Sequence, residues 1–582
     1  MKRQILTALA VLAAAGCADE TSDPVASELG RAFLPCALGT GVQLAVGEAL
    51  TLRGEEASVL CVQAGGEGGE YTLVPFFATS NGLARLRVEA VGGNLRDVTG
   101  PPDPSKSPAG AEPERDQELH MSLVERMRTG VSPLLRRATT PAARLSAARA
   151  SAPAAQIAAA VPDVGSTISI NIPRFYLDAN VPICGAAYVT RQARVAAVTQ
   201  RAILVNDPTN PAGGLSDAEL RAFGDEFDRQ IYPVDVQHFG APTDLDQNGR
   251  VIIVFTREVN ALTPRGSTGY VGGYFFGGDL FPRVATPSLG ACERSNVGEI
   301  FYLLAPDPAG TINGNPRSKA LVLQTAPGTI AHEFEHLINS SRRIYVNDAD
   351  NFEESWLDEA LAHSAEELNF YASTGLAPRQ NLDLTRLNGL QGNSAVENAF
   401  YKYMIDNMGR YLTYLQAPDS NSVIGEDLLE TRGGSWAFLR YAADRRGEGD
   451  QPFFFKLVNS RTTGLANLRQ VILDSPLDWA QDWTLSVYTD DAVPGVEPRF
   501  TQPSWNFRSI MPEVAELYDE PRRFPLLVHP LVSAGSQGYN IRGGGATYFR
   551  FGIGASSRVA LRLTQDSDVP PASLRFSLVR TR

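Results

Sequence analysis

Along the 582 residues, hydrophobic and polar positions alternate in three different ways. Between Gly30 and Leu95 the apolar residues come in short runs: GEALTLRG, SVLCVQA, YTLVPFFA and ARLRVEAV. Each run carries β-branched or aromatic residues between Gly, Asn or Ser, which predicts the short strands of a small β-sandwich. A second region opens at Thr167-Ile168-Ser169-Ile170-Asn171-Ile172, whose strict alternation predicts a half-buried strand. Ala193 to Val205 predicts a pair of strands, and the apolar run Val251 to Phe255 a buried one. Ser216-Asp217-Ala218-Glu219 is a capping box, opening a helix to about Ile231 with Leu220, Phe223 and Phe227 on one face. From Ser318 a helical period takes over, across 318–340, 353–371, 394–415, 433–446 and 477–488. From Phe524 strands return, in FPLLVHPLVSAG, TYFRFGIG, RVALRLT and LRFSLVR.

Breaks in this pattern divide the chain. Gly100 to Gln117 holds five prolines, the composition of a linker, and Glu118 to Arg128 predicts a short amphipathic helix. Ala138 to Pro162 is alanine-dominated and poor in large apolar residues, as an exposed tether or a cleavable prosegment would be. The expected class is therefore multidomain. A central α+β domain (166–495) is flanked by N- and C-terminal β-sandwich-like domains (18–98 and 496–582), with a Pro/Ala-rich linker or prosegment at 99–165. No solenoid or propeller repeat is present.

Charge removes one class of function. With 65 acidic against 52 basic side chains the net charge is −13, and a nucleic-acid binder needs a basic footprint. The first residues then supply an address. Lys2 and Arg3 precede a largely apolar run from Ile5 to Ala15, too short to span a bilayer. Ala14-Ala15-Gly16-Cys17 resembles a bacterial lipobox, with Ala14 where such motifs usually carry Leu. The resemblance implies a signal peptide over 1–17 and a lipid anchor on Cys17, which places the protein in an outer membrane or at a cell surface, or releases it outside the cell. An ordinary cleaved signal also means export. Setting Cys17 aside leaves four cysteines in a compartment that permits disulfides. The economical pairing is Cys36–Cys61 and Cys184–Cys292.

Chemistry concentrates in one place. Of six histidines, three fall between positions 332 and 363. His332-Glu333-Phe334-Glu335-His336 is H-E-x-x-H within a helical pattern. Four residues along a helix advance about 6 Å and overshoot one turn by only ~40°, so both imidazoles leave from one face. That spacing suits two corners of a zinc tetrahedron, with Glu333 as the general base that activates water. Ile330, Phe334, Leu337 and Ile338 supply apolar surface to bury such a helix.

A third ligand is needed. After His336 comes Trp356-Leu357-Asp358-Glu359-Ala360-Leu361-Ala362-His363, and further on Gly433-Gly434-Ser435-Trp436-Ala437-Phe438-Leu439-Arg440-Tyr441. Together with Thr243 to Ile253 and Ser295 to Tyr302, these stretches resemble the gluzincin metallopeptidases, and within them the hyicolysin-like branch. The resemblance covers about residues 166 to 490. It implies a zincin-like fold for the central domain, a zinc ion held by His332, His336 and Glu359, and a peptide or protein substrate. It also implies a Tyr or His donor to the oxyanion, for which Tyr401, Tyr403, Tyr411, Tyr414 and His363 are available, and an edge strand for substrate, with Glu299 to Leu304 the candidate. Glu359 stands among Trp356, Leu357, Ala360 and Leu361, where an unpaired carboxylate is costly to bury. Glu353 and Glu354 fit the first turn of that helix, and Glu366 and Glu367 a solvated run beyond it.

Several relatives are excluded by what is missing. A metzincin needs Gly at 339 and His at 342, where Asn339 and Arg342 stand. The G-x-M-E-N string of the aminopeptidase branch is absent, which favours an endopeptidase. Thermolysin-like enzymes place Asp four residues beyond the ligand glutamate to orient a histidine; here that residue is His363, so the layer behind the ligands must differ. His363 itself is either a cleft residue or a structural one, and Glu335 a solvated or supporting carboxylate. Asp244, Asp246 and Asn248 spell the first half of a calcium loop, but Phe255 occupies the position where such a loop needs Glu, so an Asx-rich turn is the alternative to Ca2+. His120, His238 and His529 are isolated. The rival to a peptidase is a surface adhesin or carbohydrate-binding scaffold with an inactive peptidase-like domain. The joint presence of His332, Glu333, His336 and Glu359 argues against it.

Overall fold

A computed structural model describes residues 36, 41–92, 95–96, 98, 132–135, 139–151, 161–174, 183–185, 187–267, 269–390, 394–425, 429–531 and 536–582. The signal peptide, Cys17, the linker at Gly100 to Gln117, the helix expected over Glu118 to Arg128 and His120 lie outside the described residues. Among the described residues no helix is long and apolar enough to cross a membrane.

The strands from the two chain ends build one sandwich. They are β1 (Ala49–Arg53), β2 (Val59–Gln63), β3 (Gly69–Phe77), β4 (Leu83–Val91) and β5 (Leu95–Arg96) at the N-terminal end. The central sheet supplies β6 (Thr167–Pro173), β7 (Tyr188–Val198), β8 (Ala202–Asn206), β9 (Val251–Thr256), β10 (Gly273–Phe275) and β11 (Ile300–Leu304). The C-terminal end adds β12 (His529–Pro530), β13 (Ser536–Arg542), β14 (Phe549–Ile553), β15 (Arg558–Gln565) and β16 (Leu574–Arg580). One sandwich sheet runs β1-β16-β3-β14-β12 and the other β13-β4-β15-β2. Leu73 pairs with both Leu578 and Phe549, and Val88 with Leu563, and each of the five N-terminal strands has a C-terminal neighbour.

This corrects the expectation of two flanking β domains. β4 alternates, burying Ala84, Leu86, Val88 and Ala90 on one face and leaving the other open. Neither end carries enough strands to cover such faces alone, and interleaving covers both. Leu60, Val62, Leu86, Phe549, Phe551, Leu563 and Phe576 fill the common interior. The C-terminal boundary moves as well. Trp505 and the helix Phe507–Leu517 belong to the helical core, and the strands begin only at His529.

The middle of the chain forms a mixed sheet in the order β10-β11-β9-β8-β7-β6. β8, β9 and β11 are mutually parallel, and β10 closes one edge antiparallel to β11. The strand within Glu299 to Leu304, the stretch expected at the edge, is therefore interior, and Gly273 to Phe275 is the edge instead. Helices cover this sheet. We number those used below α1 (Pro141–Ser151), α2 (Lys319–Tyr345), α3 (Ser355–Thr374), α4 (Ile405–Gln416), α5 (Leu429–Arg446) and α6 (Pro476–Thr489). Ser318 caps α2 by accepting from the Leu321 N–H. β10 lies directly on α2: a Cβ on Gly273 would come within 2.8 Å of Thr329, so glycine is what permits the approach.

α6 joins the two units. Gln481 donates to the Phe576 carbonyl (3.2 Å), Arg575 pairs with Asp478 (2.6 Å), and Tyr548 donates to the Thr484 carbonyl (2.9 Å). Of the alanine-rich stretch, expected as an exposed tether or a cleavable prosegment, residues 141–151 are helical as α1 and docked on α2. Arg144 is 1% exposed and donates to the Ile344 and Ala349 carbonyls. Both disulfides, Cys36–Cys61 and Cys184–Cys292, are formed.

Candidate metal centre

His332 and His336 project from one face of α2, and α3 packs across that face with Glu359 at the contact. The two Nε2 atoms are 3.2 Å apart. Glu359 Oε2 lies 3.3 Å from His332 Nε2, and Oε1 lies 3.7 Å from His336 Nε2. Behind each ring stands a carboxylate. Glu366 Oε1 accepts from His332 Nδ1 at 2.8 Å, and Asp358 Oδ2 lies 3.1 Å from His336 Nδ1. In the Nδ1–H tautomer, which the Glu366 contact favours for His332, an imidazole turns its Nε2 lone pair toward the other ring and Glu359. No donor is aligned on Glu359 Oε2, although Arg432 Nη1 is 2.7 Å from it. Two imidazole nitrogens facing a buried carboxylate are a donor set for a cation. Borderline N and O donors at this number suit a divalent transition metal.

The electrostatics follow from this crowding. Burial pushes His332 down, but Glu359 and Glu366 outweigh it and hold it above the usual imidazole range. For His336, burial is outweighed by Asp358 and Glu359. Burial also raises Glu359, but Arg432 and the two histidines bring it well below an ordinary carboxylate. Glu333, one residue on from His332, is raised by burial and held back by both histidines and by the Phe275 N–H of edge strand β10. A carboxylate kept basic beside the histidines and the sheet edge is placed for proton transfer.

Other expected residues do different things. His363 is wholly buried. Its Nδ1 donates to the same Glu366 oxygen (2.8 Å), and its Nε2 lies 3.1 Å from Arg410 Nη1. Tyr401 donates to the Leu390 carbonyl and Tyr403 to Glu226. Tyr411 and Tyr414 stack on each other in the helical core, against Phe507 and Trp483. Glu335 is fully buried with neither oxygen hydrogen-bonded. Burial and then Asp358 raise it well above the usual range.

Glu366 and Glu367, expected in a solvated run, are buried. Glu366 bridges His332 and His363, and Glu367 accepts from Trp505 Nε1 (2.6 Å) and the Tyr371 hydroxyl (3.1 Å). α3 is covered on almost every side, so its charged residues face partners instead of water. Asp358 and Glu366 were missed as supports. The readable signal was spacing: Glu366 follows Glu359 by seven residues, two turns along one face. Arg410 and Arg432 carried no signal that distinguished them from other arginines.

Asp244 and Asp246 meet Glu299, not a calcium loop. Glu299 accepts from the Leu245 N–H and the Thr243 hydroxyl, Asp246 from the Asn248 N–H and side-chain amide, and Asn248 Oδ1 from the Arg250 N–H. With Asn248 holding the turn together, the arrangement is the Asx-rich turn, and the Ca2+ expectation has no support.

No protein-family model matches the chain. Over 154 residues it is 30% identical to the neutral metalloprotease ShpI of Staphylococcus hyicus. The likeness is distant and partial. It spans 26% of this chain and 32% of that protein.

Proposed function

We propose that the protein is an exported zinc-dependent endopeptidase of the hyicolysin-like type. The observation that carries this reading is the convergence of His332 Nε2, His336 Nε2 and Glu359, with each imidazole backed by a carboxylate. The partial likeness to a metalloprotease supports it.

In this reading His332, His336 and Glu359 hold zinc, which when bound polarises the scissile carbonyl and lowers the pKa of water. Glu333 takes the proton from the attacking water and delivers it to the leaving amine nitrogen. Glu366 and Asp358 keep the histidines in the tautomer that presents Nε2. Edge strand β10, which borders Glu333, aligns an extended substrate by backbone hydrogen bonds. A lipid on Cys17 would hold the enzyme at the membrane, and Cys17→Ser would release it from the membrane fraction.

Casein zymography of the purified chain, with and without a chelator, tests the activity. Metal analysis should find close to one zinc per chain. Glu333→Gln should keep that zinc and lose proteolysis, because Glu333 acts on a proton and not on the metal. Full activity in the Gln variant would overturn the assignment.

A further inference from the structure

Every tyrosine and histidine that the resemblance offered as an oxyanion donor is engaged elsewhere or turned away. Beside His363, nevertheless, stands a cation with donors to offer. Arg410, on α4, is partly exposed. Its Nη1 lies 3.1 Å from Nε2 and 3.4 Å from Nδ1 of His363, and among the described residues its guanidinium makes hydrogen bonds to no other residue. Glu366 holds the His363 ring through Nδ1, and the guanidinium packs against that ring. A chain of contacts thus runs from His332 through Glu366 and His363 to Arg410, and one carboxylate oxygen anchors both imidazoles.

We propose that Arg410 donates to the substrate carbonyl oxygen as it becomes an oxyanion, with His363 and Glu366 as positioning residues that aim the guanidinium. This rests on the peptidase reading above.

Three features favour this role over a structural one. First, the buried structural arginines are ion-paired with carboxylates. Arg343 reaches Glu353, Asn339 and the Thr462 carbonyl, and Arg440 reaches Asp450, Asp444 and Glu367. Arg410 instead meets a neutral ring and keeps most of its five N–H groups for a visitor. Second, the site is close. His332, Glu359 and His363 offer ligand atoms within 4.8 Å of one another, so Arg410 stands one imidazole from the metal donors. Third, its backbone is fixed. A Cβ on Gly433 would meet the Arg410 carbonyl carbon at 2.3 Å, so α5 presses directly on α4 there, one residue from the Arg432 that reaches Glu359. Asp406, one turn earlier on α4, senses the Arg410 charge but forms no ion pair with it.

In the step itself, the water oxygen bonds to the carbonyl carbon and its proton goes to Glu333. The carbonyl π pair moves onto oxygen, where Arg410 N–H groups meet the new charge. The pair then returns, the C–N bond breaks, and Glu333 protonates the departing nitrogen. A preorganised donor that meets charge only after attack lowers the barrier without tightening substrate binding.

The test uses the full-length, zinc-loaded chain and an internally quenched peptide blocked at both ends. Arg410→Ala should lower kcat about 10²–10³-fold, as loss of an oxyanion donor does elsewhere, with KM and zinc content unchanged. Binding of a phosphonamidate peptide, measured by calorimetry, should weaken in parallel, and added guanidinium ion should restore part of the rate. His363→Asn should give a smaller kcat loss with zinc retained. Equal activity in Arg410→Ala and the parent overturns the inference alone. So does a loss confined to KM on peptides with a free C-terminus, which would mark Arg410 as a carboxylate binder. So does loss of zinc or fold that neither Arg410→Lys nor guanidinium ion repairs. A parent that cleaves nothing overturns the peptidase reading, and this inference with it.

Discussion

The helix pair around His332 and the two-ended sandwich are stabilised by different kinds of neighbour. In the helix pair, the residues that meet lie within one stretch, from His332 to Glu366, and each contact is a turn or a short return away. In the sandwich, Leu52 pairs with Phe576 and Val62 with Val559, across nearly the whole chain. The first region depends on a few polar contacts, each with a chemical consequence. The second depends on apolar faces that are interchangeable in kind and only collectively decisive. Damage should therefore be local and functional in one, cooperative and structural in the other.

The largest effect should come from ending the chain at Gln565, which removes β16 from between β1 and β3. Residues 41–92 should then become accessible to limited proteolysis as a unit. Continued protection would mean that the N-terminal strands fold by themselves and that the contrast is false. Next, Glu359→Ala should lower zinc affinity by orders of magnitude while leaving 41–92 protected. If it holds zinc as tightly as the parent, another residue completes the site, with His363 the first place to look.

A smaller effect, about 10–100-fold in zinc affinity, is expected for Glu366→Ala, measured by competition with a chromogenic chelator. Sequence alone placed Glu366 in a solvated run. Unchanged affinity would mean that the His332 contact is incidental.

The smallest effect concerns Asp279, buried beneath the sheet with Tyr302 and Asn296 donating to it. Burial pushes its carboxyl up to about 7 from an ordinary 3.8. A raised carboxyl favours the folded state when protonated. Its contribution is full below pH ~4 and is lost as pH rises through about 7. Relative to the parent, Asp279→Asn should therefore gain thermal stability between pH 5 and pH 8. A melting-temperature difference that is flat across that range would remove the titration argument.

Much of the candidate site was legible in the sequence because its logic is local. The i, i+4 spacing of His332 and His336 needs only a helix, and the apolar residues around Glu359 mark a position where a carboxylate requires a partner. The two disulfides followed from proximity in the chain and the sharing of a region. The strands of both ends were readable too, since alternation shows which face of a strand is apolar. What alternation does not carry is the identity of the surface that covers the face. That choice came from the folded chain, which closed one sandwich from two incomplete sets of strands. The same limit explains Glu366 and Glu367. A helix covered on all sides has no solvent face for its charges, so composition suggested water where packing supplied His332, His363 and Trp505. Arg410 follows suit: its type and spacing are ordinary, and only the meeting of α3 with α4 set it against a buried histidine, because an arginine's role depends on which of its five donors the fold leaves unused.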